Sequence, residues 1–301
     1  MVARQAIAHA GWDADVLAHD HTALVVGTSK GPVLDWLEGH LDPPGLGQVA
    51  QSVAAHLKMG CGPRLTISAA CASGLHALIR AAMLVQTGQC RRALCVACEA
   101  SLHPLFEGSF QRLGVLPGPA GGCRPFDEHR DGFLMSEAAA AVCLQADAPG
   151  IAIDGYAIGG DATHLTGGDP LNRTLRRRLA EVLASRPVDL VHAHGTGTES
   201  NDPAELSAID DALAGQEHPA VLYSHKGALG HSLGAAGLVS VVINCMCHGE
   251  GRIPGNVRTD SPLPAKRVRI SSTPERRPVQ RSIAVASGFG GAVAVLGLKS
   301  I

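Results

Sequence analysis

The sequence predicts an α/β fold built from two similar halves. Short segments rich in Val, Ile and Leu alternate with longer segments of helical periodicity, a pattern typical of strands layered against helices. After the Ala-Pro-Gly sequence at residues 148–150, a second series of the same kind begins. The 301 residues are 46% apolar and only 17% charged, a composition that allows a large buried core.

The first half opens with a short amphipathic helix, which is predicted to end at Gly11 because glycine is favoured directly after a helix C-terminus. The clearest helix of this half spans residues 73–86 and ends before Gly88. Apolar runs predict strands at residues 22–26, 64–68, 92–98 and 139–144.

The second half repeats this alternation of strands and helices. Helices are predicted near residues 171–184, 204–213 and 233–247. Strands are predicted near residues 151–156, 190–192, 220–224, 282–286 and 293–298.

Charge and hydropathy exclude several classes of function. A net charge of −2 provides no basic surface for nucleic acid. No apolar run is expected to approach the roughly 18 residues that span a bilayer, so membrane insertion is not predicted. The N-terminal residues lack the apolar core of a signal peptide, and a cytoplasmic location is therefore predicted.

The nine cysteines are an odd number and are scattered through apolar segments, which favours reduced thiols over a disulfide framework. Cys95 and Cys98 have the spacing of redox or metal-binding pairs. They lie on a predicted strand, however, where residues three apart face opposite sides, and a structural role is favoured. Cys245, Cys247 and His248 form a second cluster without a matching pair at zinc-site spacing, so no metal is predicted.

The segment Ile-Ser-Ala-Ala-Cys-Ala-Ser-Gly at residues 67–74 carries the first candidate for catalysis. A strand leads into Cys71, and a helix begins just after it. The N–H groups and the dipole of a helix N-terminus favour a thiolate, which makes this a place for a nucleophile. Taken alone, the segment is more typical of a small cysteine packed in a core.

Two later segments each contain a histidine among glycines: His-Gly-Thr-Gly-Thr at residues 194–198 and Lys-Gly-Ala-Leu-Gly-His at residues 226–231. In order and in context, Cys71, His194 and His231 resemble the Cys-His-His set of the β-ketoacyl synthases of the thiolase superfamily. The resemblance covers nearly the whole chain. Further motifs match the same family in order: Cys-Arg-Pro-Phe-Asp at 123–127, Arg-Asp-Gly-Phe at 130–133, Asn-Asp-Pro-Ala-Glu at 201–205 and Gly-Phe-Gly-Gly at 288–291.

The resemblance implies a thiolase-like fold, a five-layer αβαβα duplication with two mixed β-sheets. Residues 1–148 would form the N-terminal half with Cys71, and residues 149–301 the C-terminal half with His194 and His231. Family members usually begin with a further strand that is not found ahead of Gly11 here. We therefore expect the first half to be shortened at its start, so that the chain rearranges, borrows a strand or is an incomplete gene product.

The activity implied by the resemblance is decarboxylative Claisen condensation. Cys71 would carry the acyl group, and backbone N–H groups of Cys71 and Phe289 would hold the charge on its carbonyl oxygen. His194 and His231 would stabilise the enolate released from a malonyl thioester. Such enzymes act in fatty-acid, polyketide or aryl-polyene-like biosynthesis. Two alternatives remain open, a non-elongating acyltransferase and a non-catalytic partner subunit similar to chain-length factors.

The resemblance also assigns supporting residues. Lys226 would order the site with Glu205 as its ion-pair partner, and Phe289 would gate the acyl pocket. Thr196 and Thr198 would contact the pantetheine arm, although they could instead only satisfy a Gly-rich turn.

The implied substrates are carried on the phosphopantetheine of an acyl carrier protein, with no other cofactor. The implied assembly is a homodimer, or a heterodimer with a related synthase-like subunit, formed through the strand at residues 64–68. The low charge and small size of residues 66–70 give this edge no protection, and an exposed edge of this kind would otherwise invite aggregation.

Overall fold

A computed structural model describes residues 1–40, 45–119 and 121–301. These residues form two compact units. The first contains Met1–Ser101, Glu137–Pro149 and Leu233–Val242. The second contains Leu102–Ser136, Gly150–Ser232 and Ile243–Ile301. Each unit is assembled from three chain segments, and the single boundary after residue 148 stays a prediction.

The first unit is built on a mixed sheet whose strands have the order β2-β1-β3-β4. Strand β1 pairs in parallel with β2 and β3, whereas β4 pairs antiparallel to β3. Every residue of β1 is buried, which explains its uninterrupted apolar sequence. The four strands are β1 (Thr22–Gly27), β2 (Arg64–Ile67), β3 (Arg92–Glu99) and β4 (Ala138–Gln145).

Helices cover this sheet. The predicted N-terminal helix ends two residues before Gly11, whose φ of +65° is the left-handed conformation expected after a helix. Leu24, Val26 and Leu94 pack on one face of the sheet in a core shared with the first helices. The helices of this unit are α1 (Val2–His9), α2 (Ala14–Ala18), α3 (Val33–Leu37), α4 (Gly47–Leu57) and α5 (Ser73–Gln86).

The CxxC pair lies on β3, as predicted. Cys98 packs in the same core as Leu94, and Cys95 faces the other side of the strand because side chains alternate. Burial raises the pKa of the Cys98 thiol to about 11. All nine cysteines are outside disulfides, which confirms the expectation of thiols.

The second unit contains a six-stranded mixed sheet with the order β5-β12-β11-β6-β7-β9. Within it, the run β7-β6-β11-β12 repeats the order of β2-β1-β3-β4, including the antiparallel last pair. The predicted duplication is therefore present in the sheet topology. The strands are β5 (Ile151–Gly160), β6 (Leu190–His192), β7 (Ala220–Tyr223), β9 (Val268–Ile270), β11 (Arg281–Gly288) and β12 (Ala292–Ser300).

Two short strands, β8 (Arg252–Ile253) and β10 (Glu275–Arg276), form a separate antiparallel pair. The helices of the second unit are α6 (Pro104–Arg112), α7 (Arg173–Leu183), α8 (Asn201–Ala212) and α9 (Lys226–Leu229). The last helix, α10 (Ala236–Glu250), follows a 3-10 turn at Leu233–Ala235, and its residues are divided between the two units.

One stretch contradicts the sequence-based expectation about apolar length. Among the described residues, Leu233–Glu250 is 18 residues long with a mean hydropathy of 1.3, enough to cross a membrane by length and composition. The expectation was wrong because small and polar residues interrupt this stretch, so that it contains no long unbroken apolar run although its mean hydropathy is high. In the structure, 56% of this stretch is buried within the protein, as is common for a core helix.

Candidate active site

Cys71 lies in the first unit, between β2 and α5. It is partly buried and stands two residues before Ser73, the first residue of α5. The structure thus places the thiol at the helix N-terminus that the sequence predicts. Ala70, just before it, has a φ of +47°, a left-handed conformation that costs energy for a residue with a Cβ.

The strained turn is held by Ser73, whose side chain is fully buried. Its hydroxyl donates to the carbonyl of Ala70 at 2.6 Å and accepts from the N–H of Ala69 at 2.9 Å. The helix also needs glycines to approach the sheet. A Cβ on Gly27 would lie 2.8 Å from the carbonyl oxygen of Ser73. Small residues in this segment are therefore required by packing, apart from any chemistry.

Glu99, at the end of β3, is a buried acid that the sequence analysis missed. Its carboxylate accepts N–H groups from Ser29 at 2.8 Å, Lys30 at 3.1 Å and Gly234 at 3.0 Å. These bonds tie two loops of the first unit to the strand. An acidic residue directly after an otherwise apolar strand was the available signal.

His194 and His231 come together in the second unit. Their ring centroids are 5.4 Å apart and the ring planes are nearly perpendicular at 81°. Both side chains are buried. Burial and then the nearby charge of Lys226 lower the pKa of each imidazole well below its ordinary value. The pair is therefore neutral around pH 7 and can donate ring N–H groups.

A row of aromatic rings runs from His231 to Phe289. The ring of Phe133 meets His231 edge to face with centroids 4.9 Å apart. Phe110 follows at 5.5 Å from Phe133, and Phe289 lies 6.2 Å from Phe110. Phe289 and Phe133 belong to motifs identified in the sequence, whereas Phe110, on α6, was not anticipated.

Phe289 lies on the tight turn between β11 and β12. Gly291 follows two residues later with a φ of +80°, and a Cβ at that position would overlap the carbonyl of Asp161. Only glycine fits such a turn. The N–H of Gly290 also donates to the carbonyl of Leu165 at 2.7 Å, which fixes the backbone beside Phe289.

Lys226 and Glu205 hold the backbone of His194 from opposite sides. The Lys226 ammonium donates to the carbonyl oxygen of His194. The Glu205 carboxylate accepts the N–H of His194 at 2.6 Å and that of Gly195 at 2.8 Å. Burial raises the pKa of Glu205 to about 7. An ion pair between Lys226 and Glu205 stays a prediction.

Thr196 and Thr198 continue the loop after His194, and their hydroxyls are 2.9 Å apart. The loop is held by Asp202, an acid of the Asn-Asp-Pro-Ala-Glu motif that the sequence analysis did not single out. Its carboxylate accepts N–H groups from Thr196 at 3.1 Å, Gly197 at 3.0 Å and Phe126 at 2.7 Å. The threonines thus have a structural role in the turn, and their contact with pantetheine stays a prediction.

A second histidine pair, His192 and His225, was missed by sequence reasoning. Nε2 of His192 lies 2.9 Å from Nδ1 of His225, and Nδ1 of His192 lies 2.9 Å from the side-chain oxygen of Asn244. All three residues are buried. The available signal was two histidines in apolar segments, each within two residues of a predicted site residue.

The second unit therefore assembles most of the predicted site residues and can supply neutral hydrogen-bond donors to a developing negative charge. Cys71 is positioned separately, at the helix N-terminus of the first unit. The predicted residues of the second unit are His194, Thr196, Thr198, Glu205, Lys226, His231 and Phe289.

Solved structures define the class of fold. The chain is 26% identical to the ishigamide ketosynthase/chain length factor, with a TM-score of 0.85 over 99% of this chain and 80% of that one. A type II PKS ketosynthase structure in complex with its acyl-carrier protein (AntDE:AntF) is 23% identical and shows likeness of fold alone, with a TM-score of 0.88 over 99% of this chain and 83% of that one. The predicted thiolase-like α/β fold with two mixed sheets is thus confirmed.

The chain belongs to the β-ketoacyl synthase family. Residues 1–149 match the model of the beta-ketoacyl synthase N-terminal domain, and residues 151–260 match that of the C-terminal domain. The resemblance inferred from the sequence motifs is therefore confirmed.

Individual relatives agree with this membership. Putative polyketide beta-ketoacyl synthase 1 of Streptomyces halstedii is 30% identical over 294 residues, covering 91% of this chain and 70% of that protein. The protein of the same name from Streptomyces cyaneus is 32% identical over 248 residues, covering 76% and 59%. 3-Oxoacyl-(acyl-carrier-protein) synthase 2 of Synechocystis sp. is 32% identical over 220 residues, covering 67% and 53%. The chain thus spans less than two thirds of the length of the last two relatives.

Proposed function

We propose that this chain is a β-ketoacyl-(acyl carrier protein) synthase-like enzyme that catalyses decarboxylative Claisen condensation. The observation that carries the proposal is the neutral, perpendicular pair of His194 and His231. Membership of the β-ketoacyl synthase family supports it.

In the first half of the proposed reaction, the Cys71 thiolate attacks the carbonyl carbon of an acyl thioester. The bond from that carbon to the carrier sulfur breaks, and the carrier leaves as a thiolate that takes up a proton. The N–H groups of Cys71 and Phe289 are proposed to stabilise the oxyanion formed on the way. The helix N-terminus after Cys71 favours the thiolate form.

In the second half, a malonyl thioester loses carbon dioxide and leaves an enolate. His194 and His231 donate ring N–H groups to the enolate oxygen. The enolate carbon then attacks the Cys71 thioester, a carbon–carbon bond forms, and the cysteine sulfur leaves. Neutral imidazoles suit this step, since charged ones would be costly in a buried site and a strong base is not needed.

The substrates are acyl and malonyl groups on the phosphopantetheine of an acyl carrier protein, and no further cofactor is needed. Relatives named as polyketide and 3-oxoacyl synthases favour a place in polyketide or fatty-acid synthesis. The proposed assembly is a homodimer, or a heterodimer with a related synthase-like subunit, in the cytoplasm.

Acylation of Cys71 tests the first half. The protein is incubated with a synthetic octanoyl-phosphopantetheine thioester, and peptides are examined by mass spectrometry. We expect one octanoyl group on the Cys71 peptide, and its loss in Cys71→Ala. Cys98→Ala is the matched control, since that thiol is also partly buried and lies on β3 of the same unit. Label on the Cys71→Ala protein would refute the assignment.

Release of carbon dioxide from malonyl-phosphopantetheine tests the second half separately. Acylation without carbon dioxide release would indicate the non-elongating acyltransferase. The absence of both reactions would favour a non-catalytic partner subunit, an alternative suggested by the likeness to a ketosynthase/chain length factor structure.

A further inference from the structure

His192, His225 and Asn244 form a buried hydrogen-bonded chain whose protons can be assigned from its fixed end. The Asn244 side-chain N–H₂ donates to the carbonyl of Ile283 at 3.3 Å. The side-chain oxygen of Asn244 is therefore the atom that faces Nδ1 of His192, at 2.9 Å, and Nδ1 must carry the proton.

The same reasoning continues to His225. In a neutral imidazole with a proton on Nδ1, Nε2 is an acceptor, so Nε2 of His192 accepts from Nδ1 of His225 at 2.9 Å. Each donor in this row of hydrogen bonds therefore points toward the Ile283 end. Hydrogen bonds aligned in this way polarise one another, which makes the open end, Nε2 of His225, a strengthened acceptor.

That open end lies among groups of the proposed active site. Nε2 of His225 is buried and has no hydrogen-bond partner among the residues that the structure describes. Nδ1 of His231 is in the same situation. The ring of His225 lies 5.1 Å from that of His192, and the ring of His231 lies 5.4 Å from that of His194, two residues further along the chain than His192. Both nitrogens thus belong to one buried cluster of four histidines, within which His225 contributes to the lowered pKa of His231. Buried polar atoms of this kind are normally satisfied, often by an internal water.

We propose that His225 is a positioning residue for His231, acting through a buried water that donates one proton to Nε2 of His225 and the other to Nδ1 of His231. Water is the simplest molecule that satisfies two acceptors at once. His231 is then held with its proton on Nε2, and its Nε2–H is available as a donor. The His192–His225 pair supplies the fixed acceptor that selects this tautomer.

The groups around His225 leave it no alternative charge state at neutral pH. His192 faces it from β6, and Tyr223 packs on the His192 ring from β7. Lys226 follows it on α9, and its charge opposes protonation of the imidazole after burial itself. The catalytic consequence rests on the proposed function, because a donating Nε2–H on His231 matters only where an enolate forms. The tautomers of the three histidines do not depend on the proposed function.

Nitrogen NMR of the full chain labelled with ¹⁵N-histidine tests the tautomers without any substrate. We expect His192 and His225 to carry their protons on Nδ1 and His231 on Nε2, unchanged between pH 6 and 8, where the ordinary imidazole titrates around 6.5. A proton on Nε2 of His225, or on Nδ1 of His231, overturns the proposal.

Two variants extend the test to catalysis. In His225→Asn, the amide N–H₂ replaces Nδ1–H as donor to His192, while the acceptor toward His231 is lost. Malonyl decarboxylation is expected to fall about tenfold, the scale of one hydrogen bond. In His225→Gln, an amide oxygen replaces Nε2 as acceptor, and part of the rate is recovered. Acylation of Cys71 is unchanged in both.

His248→Asn is the matched control. His248 is a partly buried histidine of the same unit whose ring nitrogens contact the hydroxyls of Ser282 and Ser300, each at 2.9 Å. The His248→Asn variant is expected to leave the NMR signals of His231 and the rate of malonyl decarboxylation unchanged. Unaltered His231 signals in His225→Asn, or equal loss of acylation and decarboxylation, overturn the proposal. A wild-type protein without either activity overturns the proposed function alone, since the NMR result still decides the positioning role.

Discussion

The ring of Phe133 lies edge-on against the ring of His231, with centroids 4.9 Å apart and planes at 81°. Phe133 follows Gly132, which has a φ of +147° and no room for a Cβ beside Val115 and Leu116. The short Arg-Asp-Gly-Phe motif therefore needs its glycine to bring the aromatic ring to the histidine.

Replacing Phe133 tests this contact. Phe133→Leu keeps most of the buried volume and is expected to reduce the free energy of unfolding by about 1 kcal/mol, the value of an edge-to-face contact. Phe133→Ala also leaves a cavity and is expected to cost about 3–5 kcal/mol. Urea unfolding followed by circular dichroism measures both values. No loss of stability in Phe133→Leu would show that the ring contributes no specific contact.

Cys71→Ala is expected to abolish acyl-enzyme formation while the unfolding midpoint changes little. Alanine fits the corner before α5, because it is smaller than cysteine and because the hydroxyl of Ser73 holds the turn. Ser73→Ala is the complementary change. It is expected to lower stability by about 1–3 kcal/mol, since it leaves the N–H of Ala69 without its acceptor. Mass spectrometry and thermal unfolding are the two measurements.

His194→Ala and His231→Ala are expected to retain acylation of Cys71 and to lose malonyl decarboxylation by about 100-fold or more, as for removal of an oxyanion donor. The reason is that both donors serve the enolate of the second half. Carbon dioxide release and octanoyl transfer are measured on the same preparations. Full carbon dioxide release by either variant would remove that histidine from the second half of the reaction.

Stability is expected to rise with pH between about 5 and 7. His192, His194, His225 and His231 have lowered pKa values in the folded state, that of His192 to about 3, and titrate near 6.5 when unfolded. Their contribution to the free energy of unfolding is fully present above pH 6.5 and is lost as the pH falls below that value. Glu205 acts in the opposite sense, because its pKa is raised to about 7 from 4.5 and its contribution is lost as the pH rises.

Burial also raises the pKa of Asp202, so the four histidines outnumber two acids, which sets the direction. Urea unfolding at pH 5, 6 and 7 measures the slope of the free energy of unfolding against pH. His192→Asn is expected to flatten it by up to about 1.4 kcal/mol per pH unit, and Glu205→Gln to steepen it. A slope of the opposite sign in the wild-type protein would contradict the neutral burial of the histidines.

The chain is expected to be a dimer. Strand β2 is an edge of the first sheet, paired on one side to β1, and it carries no acidic residue or proline to block further pairing. Light scattering at micromolar concentration measures the mass. Thr66→Lys, on β2, is expected to weaken the dimer, whereas Ile158→Lys, at an exposed position of β5 in the second unit, is not. A monodisperse, folded monomer of about 31.0 kDa would refute the expectation.

Local sequence determined much of the secondary structure. Helix α5 and strand β6 have the predicted bounds, Ser73–Gln86 and Leu190–His192. Each of the other predicted strands overlaps an observed strand, and their ends differ by a few residues at most. Periodicity and turn residues report on contacts within a segment, and they suffice where a segment packs on the core along its whole length. The short strands β8 and β10 were not predicted, because two residues are too few to show a period.

The candidate catalytic residues were also visible in the sequence, because each lies in a short motif with distinctive neighbours. Motifs identified Cys71, His194 and His231, and the structure places the two histidines together. Chain order alone could not give the distance between them or their neutral state. Those depend on burial, which is decided by packing across the whole unit.

Only the tertiary structure revealed the residues that act through distant partners. His192 meets Asn244 across 52 positions of sequence, and Glu99 meets Gly234 across 135. Neither residue lies in a recognisable pattern with its partner. A buried polar group is stabilised by whichever donor or acceptor the fold brings to it, and that choice is made when sheets and helices pack. The sequence therefore determined the reactive motifs and many of the strands and helices, while packing decided which buried groups hold them in place.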